Sequence, residues 1–523
     1  MELTNIVEEL IKEFSQPKAP AREGIEYNVS RTVSVLAVIY EKVRNAVEFR
    51  AEHLIRRAAI ERILKRRILT DNGQAIAETL ITELLWARYI DSSLVDKAKV
   101  TEVQRIIDRY LVVRQHLPTV NQKVYNVSWN VLLGLVSSEI EEAIVSAAKR
   151  GALTNFVYQA VRPKVNLPEV AETSVNLYTY VAVERAFAQA DDQLIAFHLL
   201  KIVFPEWLSL SSVDTPTNLP RFWKYLEIIQ QSLRSSTTDA IFRYVRRQTP
   251  PYFLLRDFFF EAEEKVGEYL ADEAKLVEKL TDIAERRYKE IGVKVKRAMI
   301  RSFIYIFLTK MVFALALEAP YDFYIAQKIT YLPLIINTLF PPIMLFFVAG
   351  LFSVPRGDNT KRLISRIQKI IYHFPELAKE EGRFTAKEKI RRPVLSAIFS
   401  VIYLVTFVIT FGLINWVLSL LQFNPVSKII FVFFVALVSF FAYRIRTSAK
   451  EYEMVDRQGI LEPVVDFFLL PVIRAGHVLS REIAKLNIFI FLFDFILEAP
   501  LKIIFEVVEE WIRFIRRKKE EIV

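Results

Sequence analysis

The chain has 523 residues, is 52% apolar and 13% aromatic, and carries a formal charge of +10. That is more apolar than an ordinary soluble protein of this length. It contains no cysteine, which excludes disulfides, thiolate nucleophiles and Cys-ligated zinc or iron–sulfur centres.

Residues 1–298 mix charge and apolarity evenly, whereas beyond Ala298 long apolar runs alternate with dense basic clusters, as membrane spans and their flanks do. The expected fold class is all-α: a polytopic α-helical membrane protein with a large N-terminal helical bundle. Met1–Gln16 carries Glu2, Glu8, Glu9 and Glu13 and lacks the basic and apolar regions of a signal peptide, so the N-terminus is expected to stay where it is made.

The first half reads as helix almost throughout. Asn28–Leu69 is one long helical pattern stopped by Thr70-Asp71-Asn72-Gly73, and periodic stretches follow at 74–90, 93–117, 127–148 and 169–204. No stretch alternates with the period of a strand. The Ser/Thr/Pro-rich stretch Ser209–Pro220 marks a linker over 208–220, between a bundle at 1–207 and a helical segment at 221–298. Within that segment, Phe258–Met299 reads as one charged helix with Leu270, Val277, Ala284 and Ile291 at seven-residue spacing. It is expected to run on as a stalk into the first span, with Gly292 its one weak point; the alternative is a bundle helix that stops short of the membrane.

Four spans are expected in a membrane domain at 299–445: Met299–Ala316, Ile329–Phe352, Val394–Leu421 and Ile429–Tyr443. Pro333, Pro341 and Pro342 should kink or break the second. Lys294, Lys296, Arg297 and Arg301 precede the first span, and Ser353–Arg392 is crowded with lysine and arginine. The turns containing Asp322 and Asn424-Pro425 are poor in both. The positive-inside rule therefore puts the N-terminal half, both basic flanks and both termini in the cytoplasm, in a multi-pass protein of the plasma (inner) membrane.

Residues 446–523 are expected to hold re-entrant or interfacial helices, or a pair of short spans, and a basic tail. Ile503, Val507, Trp511 and Ile515 share one face of an amphipathic helix that lies on the membrane surface or packs on the protein's own bundle. Leu-Glu-Ala-Pro occurs at both Leu317–Pro320 and Leu497–Pro500, too short a match to establish an internal repeat.

Chemistry is sparse. No two of the twelve glycines are separated by a single residue, so there is no dinucleotide fingerprint, and no phosphate loop is present. The five histidines are scattered. Glu184, Asp191 and His198, spaced by seven, would lie along one helix side at about 10.5 Å intervals, too far apart to share an ion. A solvated or ion-paired face is the favoured reading. The basic run Arg56–Arg67 also reads as a solvated face, with Glu52–Arg56 and Glu61–Lys65 at i, i+4.

The sharper signals are ionisable or polar groups inside apolar runs, because a charge facing lipid is costly. Lys310 lies nine residues past Arg301, about 13.5 Å along a helix. Asp494 and Glu498 are its expected partners, with Asn337, Asn415 and Asp466 as further polar points; a snorkelling or statically paired lysine is the plainer reading. No cofactor or metal is expected.

The leading functional reading is a non-enzymatic scaffold or recruitment protein acting through its cytoplasmic helical domain, and the alternative is a channel or secondary transporter using intramembrane polar residues. A lipid-modifying enzyme ranks last, since no catalytic constellation is visible. The expected partners are the lipid bilayer, anionic lipids at the basic clusters and a cytoplasmic protein; nucleic acid is not expected.

Overall fold

Amphipathic periodicity becomes helix in nearly every described part of the chain. The computed structural model describes residues 5–15, 52–70, 76–117, 122–326, 331–350, 357–373, 384–385, 393–454, 470–479 and 511. All-α is the observed class. Among the described residues the only strand pairing is a two-residue parallel one, Val165–Asn166 with Phe384–Thr385.

The N-terminal body has two apolar cores. The first is built from α1 (Asn5–Ser15) and the later helices described below. The second gathers α2 (Glu52–Thr70), α3 (Ile76–Trp86), α4 (Lys97–Gln115) and α5 (Gln122–Ile144). After α6 (Ala148–Val161) come α7 (Glu172–Val183), α8 (Asp192–Val203) and α9 (Thr215–Arg234). The stretch read as a linker is instead the entry to α9. Pro216 suits a first helical turn because its missing N–H has no partner there. Leu219 and Phe222 are buried, and the Phe222 ring stacks on Trp207 at 4.4 Å. Apolar burial overrides a linker-like composition.

The basic run on α2 is not a solvated face either. Arg56 and Arg57 are buried; Arg56 Nη2 lies 2.9 Å from Glu141, and Arg57 reaches Asp191 and Glu61. Arg66 and Arg67 both hold Glu83.

The stalk helix begins later than expected. Helix α10 (Ser236–Ala262) stops at Glu263, whose φ of 42° breaks the helix. After the short α11 (Val266–Ala271), Asp272 caps α12 by accepting from the amides of Ala274 and Lys275. Helix α12 (Glu273–Phe313) is continuous for 41 residues, through Gly292 and into the apolar run. Its Leu276, Leu280, Ile283, Ala284 and Ile291 enter the first core, while Lys294, Lys296, Arg297 and Arg301 stay exposed at the transition.

Among the described residues three helices are long and apolar enough to cross a membrane: one within Glu273–Ile325, which contains α12, then Ala397–Leu420 and Pro425–Tyr443. The last two lie in α15 (Pro393–Leu420) and α16 (Pro425–Ala449). The fourth expected span contains α13 (Tyr331–Gly350), apolar over Tyr331–Leu345 among the described residues. Its helix runs through Pro341 and Pro342 unbroken in assignment. Helix α15 exposes Ile398, Val401, Leu404, Val408 and Trp416, the surface a lipid-facing helix presents.

Between α13 and α15 the basic connection contains α14 (Gly357–Tyr372). Its stripe of Leu363, Ile364, Ile367, Ile370 and Ile371 is buried in the first core, with Lys361 and Arg362 outside. At roughly 1.5–3 kcal/mol for each fully buried aliphatic side chain, this stripe holds the connection firmly on the body. Past α16, Tyr452 returns to the same core.

The described part of helix α17 (Leu470–Leu479) lies against the apolar layer. Val472 joins a cluster with Leu418, Phe423 and Val435, and Arg474 sits over the Tyr403 ring at 5.3 Å. A Cβ at Gly476 would overlap the carbonyl oxygen of Ala436, so glycine is what lets α17 approach α16 this closely. Of the amphipathic C-terminal helix only Trp511 is described, helical and exposed; the rest lies outside the described residues, as do Asn28–Ala51.

Candidate functional site

Lys310 is buried near the end of α12. Beyond Phe313 the chain widens into two π-helical turns, Ala314–Glu318 and Asp322–Ala326. A π turn adds a residue per hydrogen-bonded ring and redirects the side chains after it, and such turns concentrate at special sites. Here it carries Glu318 back to Lys310: Nζ lies 2.6 Å from Glu318 Oε1, with both side chains fully buried.

The other carboxylate oxygen is also occupied. Glu318 Oε2 accepts from Asn337 Nδ2 at 2.7 Å and from Ser427 Oγ at 3.2 Å. Asn337 Nδ2 also donates to the Ser427 carbonyl at 3.3 Å, and the Phe434 ring centroid is 5.1 Å from Nζ. A second layer follows, in which Asn424 donates to Asp322 at 2.6 Å and accepts from the Ser427 amide at 2.7 Å. One network therefore ties together α12, α13 and the start of α16. In its inner layer one cation meets one carboxylate, Asp322 adds a second carboxylate in the outer layer, and Asn337 Oδ1 is buried without a donor.

The sequence singled out Lys310 and Asn337, and the structure brings them together through Glu318. Glu318 was assigned to the turn outside the first span, because the apolar run stops before it. The expected partners Asp494 and Glu498 lie outside the described residues, as does Asp466. Asn415 is elsewhere, exposed on α15, and its backbone oxygen accepts from Ser419 at 2.8 Å.

A second polar cluster lies in the body. Glu184, Asp191 and His198 do not share one straight helix, since α7 runs into a π-helical turn at Glu184–Ala188 and Gln189 is left-handed at φ 55°. The fold reverses there, and His198 Nδ1 comes to 2.7 Å from Glu184 Oε1. Its Nε2 lies 2.6 Å from Glu142 Oε1, and Lys201 holds the other Glu142 oxygen at 2.5 Å. Asp191 caps α8 by accepting from the Leu194 amide and pairs with Arg57. With both ring nitrogens facing carboxylates, His198 is a charged tie between α5, α7 and α8 rather than a metal ligand.

Burial alone would lower the pKa of His198, but Glu184 and Glu142 outweigh it and push it up to about 9. Burial would raise Glu142, yet His198 and Lys201 bring it down to about 2. His198 gains its partners on folding, so its contribution is full below about pH 6.5, the unperturbed value, and is lost as pH rises through about 9. The melting-temperature gap between the wild type and His198→Gln should therefore be wide at pH 6 and narrow at pH 10. An unchanged gap would show that the pair does not form.

These groups border a cleft of about 430 Å³ lined by His53, Arg150, Tyr180, Glu184, His198 and Lys201 among others. No family model matches this sequence, and no curated protein or solved structure matches it.

Proposed function

We propose that the protein is a non-enzymatic, multi-pass membrane platform that holds its helical body rigidly against the cytoplasmic face of the plasma membrane, where a protein partner is recruited. The observation that carries this reading is that three separate returns from the apolar layer enter one core. They are the stalk of α12, the amphipathic α14 and Tyr452 after α16. All three belong on one side of the bilayer in this reading, and the exposed Lys294, Lys296, Arg297 and Lys361 support the cytoplasmic side by the positive-inside rule. A body hung from one flexible tether would serve simple anchoring; three attachments favour a surface held at fixed height and orientation.

A second reading, a channel or transporter, draws on the buried Lys310–Glu318 pair and the π turns beside it. The two readings separate on Lys310→Met/Glu318→Gln, which removes both charges together. In proteoliposomes, transport expects a wild-type ion flux that this variant abolishes. The platform expects no specific flux from either protein, while photocrosslinkers at exposed body positions give a discrete protein adduct in cells. A flux dependent on the pair would overturn the platform reading.

A further inference from the structure

We propose that the body cleft binds an amphiphilic organic anion, with its carboxylate or phosphate head on Arg150 and its apolar part against Leu153, Phe187 and Leu194. At about 430 Å³ the cleft falls within the size range of small-molecule sites, and its wall mixes apolar side chains with a few convergent polar groups.

The charge on its two sides differs. On one side Glu184, His198, Glu142 and Lys201 form a chain of alternating sign that neutralises itself. On the other side two guanidinium groups share one buried carboxylate. Glu141 is held by Arg56 Nη2 at 2.9 Å and by Arg56 Nε at 3.1 Å, while Arg150 comes no closer than 3.5 Å. Arg56 also touches Glu52 at 3.4 Å, but that carboxylate is exposed and screened. A positive charge is left over at Arg150. His53, also on the wall, reports the same field: burial first, then Arg150 and Arg56, bring its pKa down to about 4, so it stays a neutral imidazole able to donate to an anion.

Room exists beside this charge. A Cβ at Gly151, next to Arg150 and on the cleft wall, would meet nothing within 4 Å. The wall opposite is fixed by the π turn and the left-handed Gln189, whose amide donates to Glu451 at 2.9 Å. That bond places the rim beside the chain leaving α16, so the head group has two sources, a soluble carboxylate or an anionic phospholipid of the adjacent membrane.

The test uses the full chain in phosphatidylcholine nanodiscs, titrated with octanoate by calorimetry, and in phosphatidylglycerol nanodiscs, analysed for retained lipid by native mass spectrometry. Arg150→Met removes the charge, and Gly151→Leu fills the cleft with a residue that suits a helix better than glycine. Saturable octanoate binding weakened at least about tenfold by both variants assigns a soluble anion. One retained phosphatidylglycerol, lost in both variants, assigns a lipid head. Binding in neither arm, or equal binding by all three proteins, overturns the site.

Discussion

Lys310→Met should lower the stability of the detergent-solubilised protein by about 3–5 kcal/mol, and adding Glu318→Gln should restore most of the loss. The lysine and the glutamate are both fully buried and 2.6 Å apart, so removing the cation strands a carboxylate in an apolar layer. Breaking one partner of a buried pair is what costs energy, whereas replacing both by neutral groups of similar volume is often close to neutral. Glutamine at 318 keeps an oxygen for Asn337 Nδ2 and Ser427 Oγ, so the remaining network survives in the double variant. Thermal unfolding of the wild type, both single variants and the double variant closes the cycle. A loss in the double variant equal to the sum of the two single losses would mean that the two charges do not interact.

The second large effect is expected at Asp257. This carboxylate is 4% exposed; it accepts from the Tyr452 hydroxyl at 2.6 Å and from Arg287 Nε at 2.8 Å, with Arg256 Nη2 at 3.1 Å. It therefore joins α10, the stalk α12 and the chain leaving α16. Burial and the neighbouring carboxylate both raise the pKa of the Tyr452 phenol, which stays a donor at any working pH. Asp257→Leu leaves two guanidinium groups and a phenol without their acceptor, a loss of roughly 2–4 kcal/mol. Asn359 still holds the Tyr452 carbonyl at 2.7 Å and the Met454 amide at 2.9 Å, so the expected outcome is local release rather than unfolding. Hydrogen exchange should quicken at residues 450–454 and in α14 while α2 to α5 keep their protection. Unchanged exchange at 450–454 would show that Asp257 does not hold this return.

How far the sequence could be read depended on whether the deciding interaction was local. Apolar runs marked out the three helices that, among the described residues, are long and apolar enough to cross a membrane, because that depends on length and composition alone; the continuity of α12 followed from the absence of proline between Glu273 and Phe313. Helix α14 was hidden inside a basic connection: its isoleucines repeat at helical spacing, but Lys361, Arg362, Arg366 and Lys369 drew attention to charge rather than to the stripe beneath. The entry to α9 was misread for a related reason, since Ser, Thr and Pro suit both a linker and a helix start, and only the burial of Phe222 decides.

The polar sites needed geometry that periodicity cannot supply. A straight helix keeps Glu184 and His198 about 21 Å apart, and only the π turn with a left-handed glutamine, a residue that gives no such signal, folds them together. Lys310 was visible as a charge in an apolar run. Its partner, Glu318, is eight residues away across a π turn, and helical periodicity gives no sign of that turn.

The platform requires the body, α14 and the chain after α16 to share one side of the membrane while the turns at Asp322 and Asn424 share the other. With no native cysteine, single cysteines at Thr217, Lys361, Phe323, Gln422 and Glu453 can be labelled in intact cells with an impermeant reagent against a clean background. Labelling at 323 and 422 alone is the expected result. Labelling at 217, 361 or 453 without permeabilisation would contradict the shared cytoplasmic side, and with it the platform.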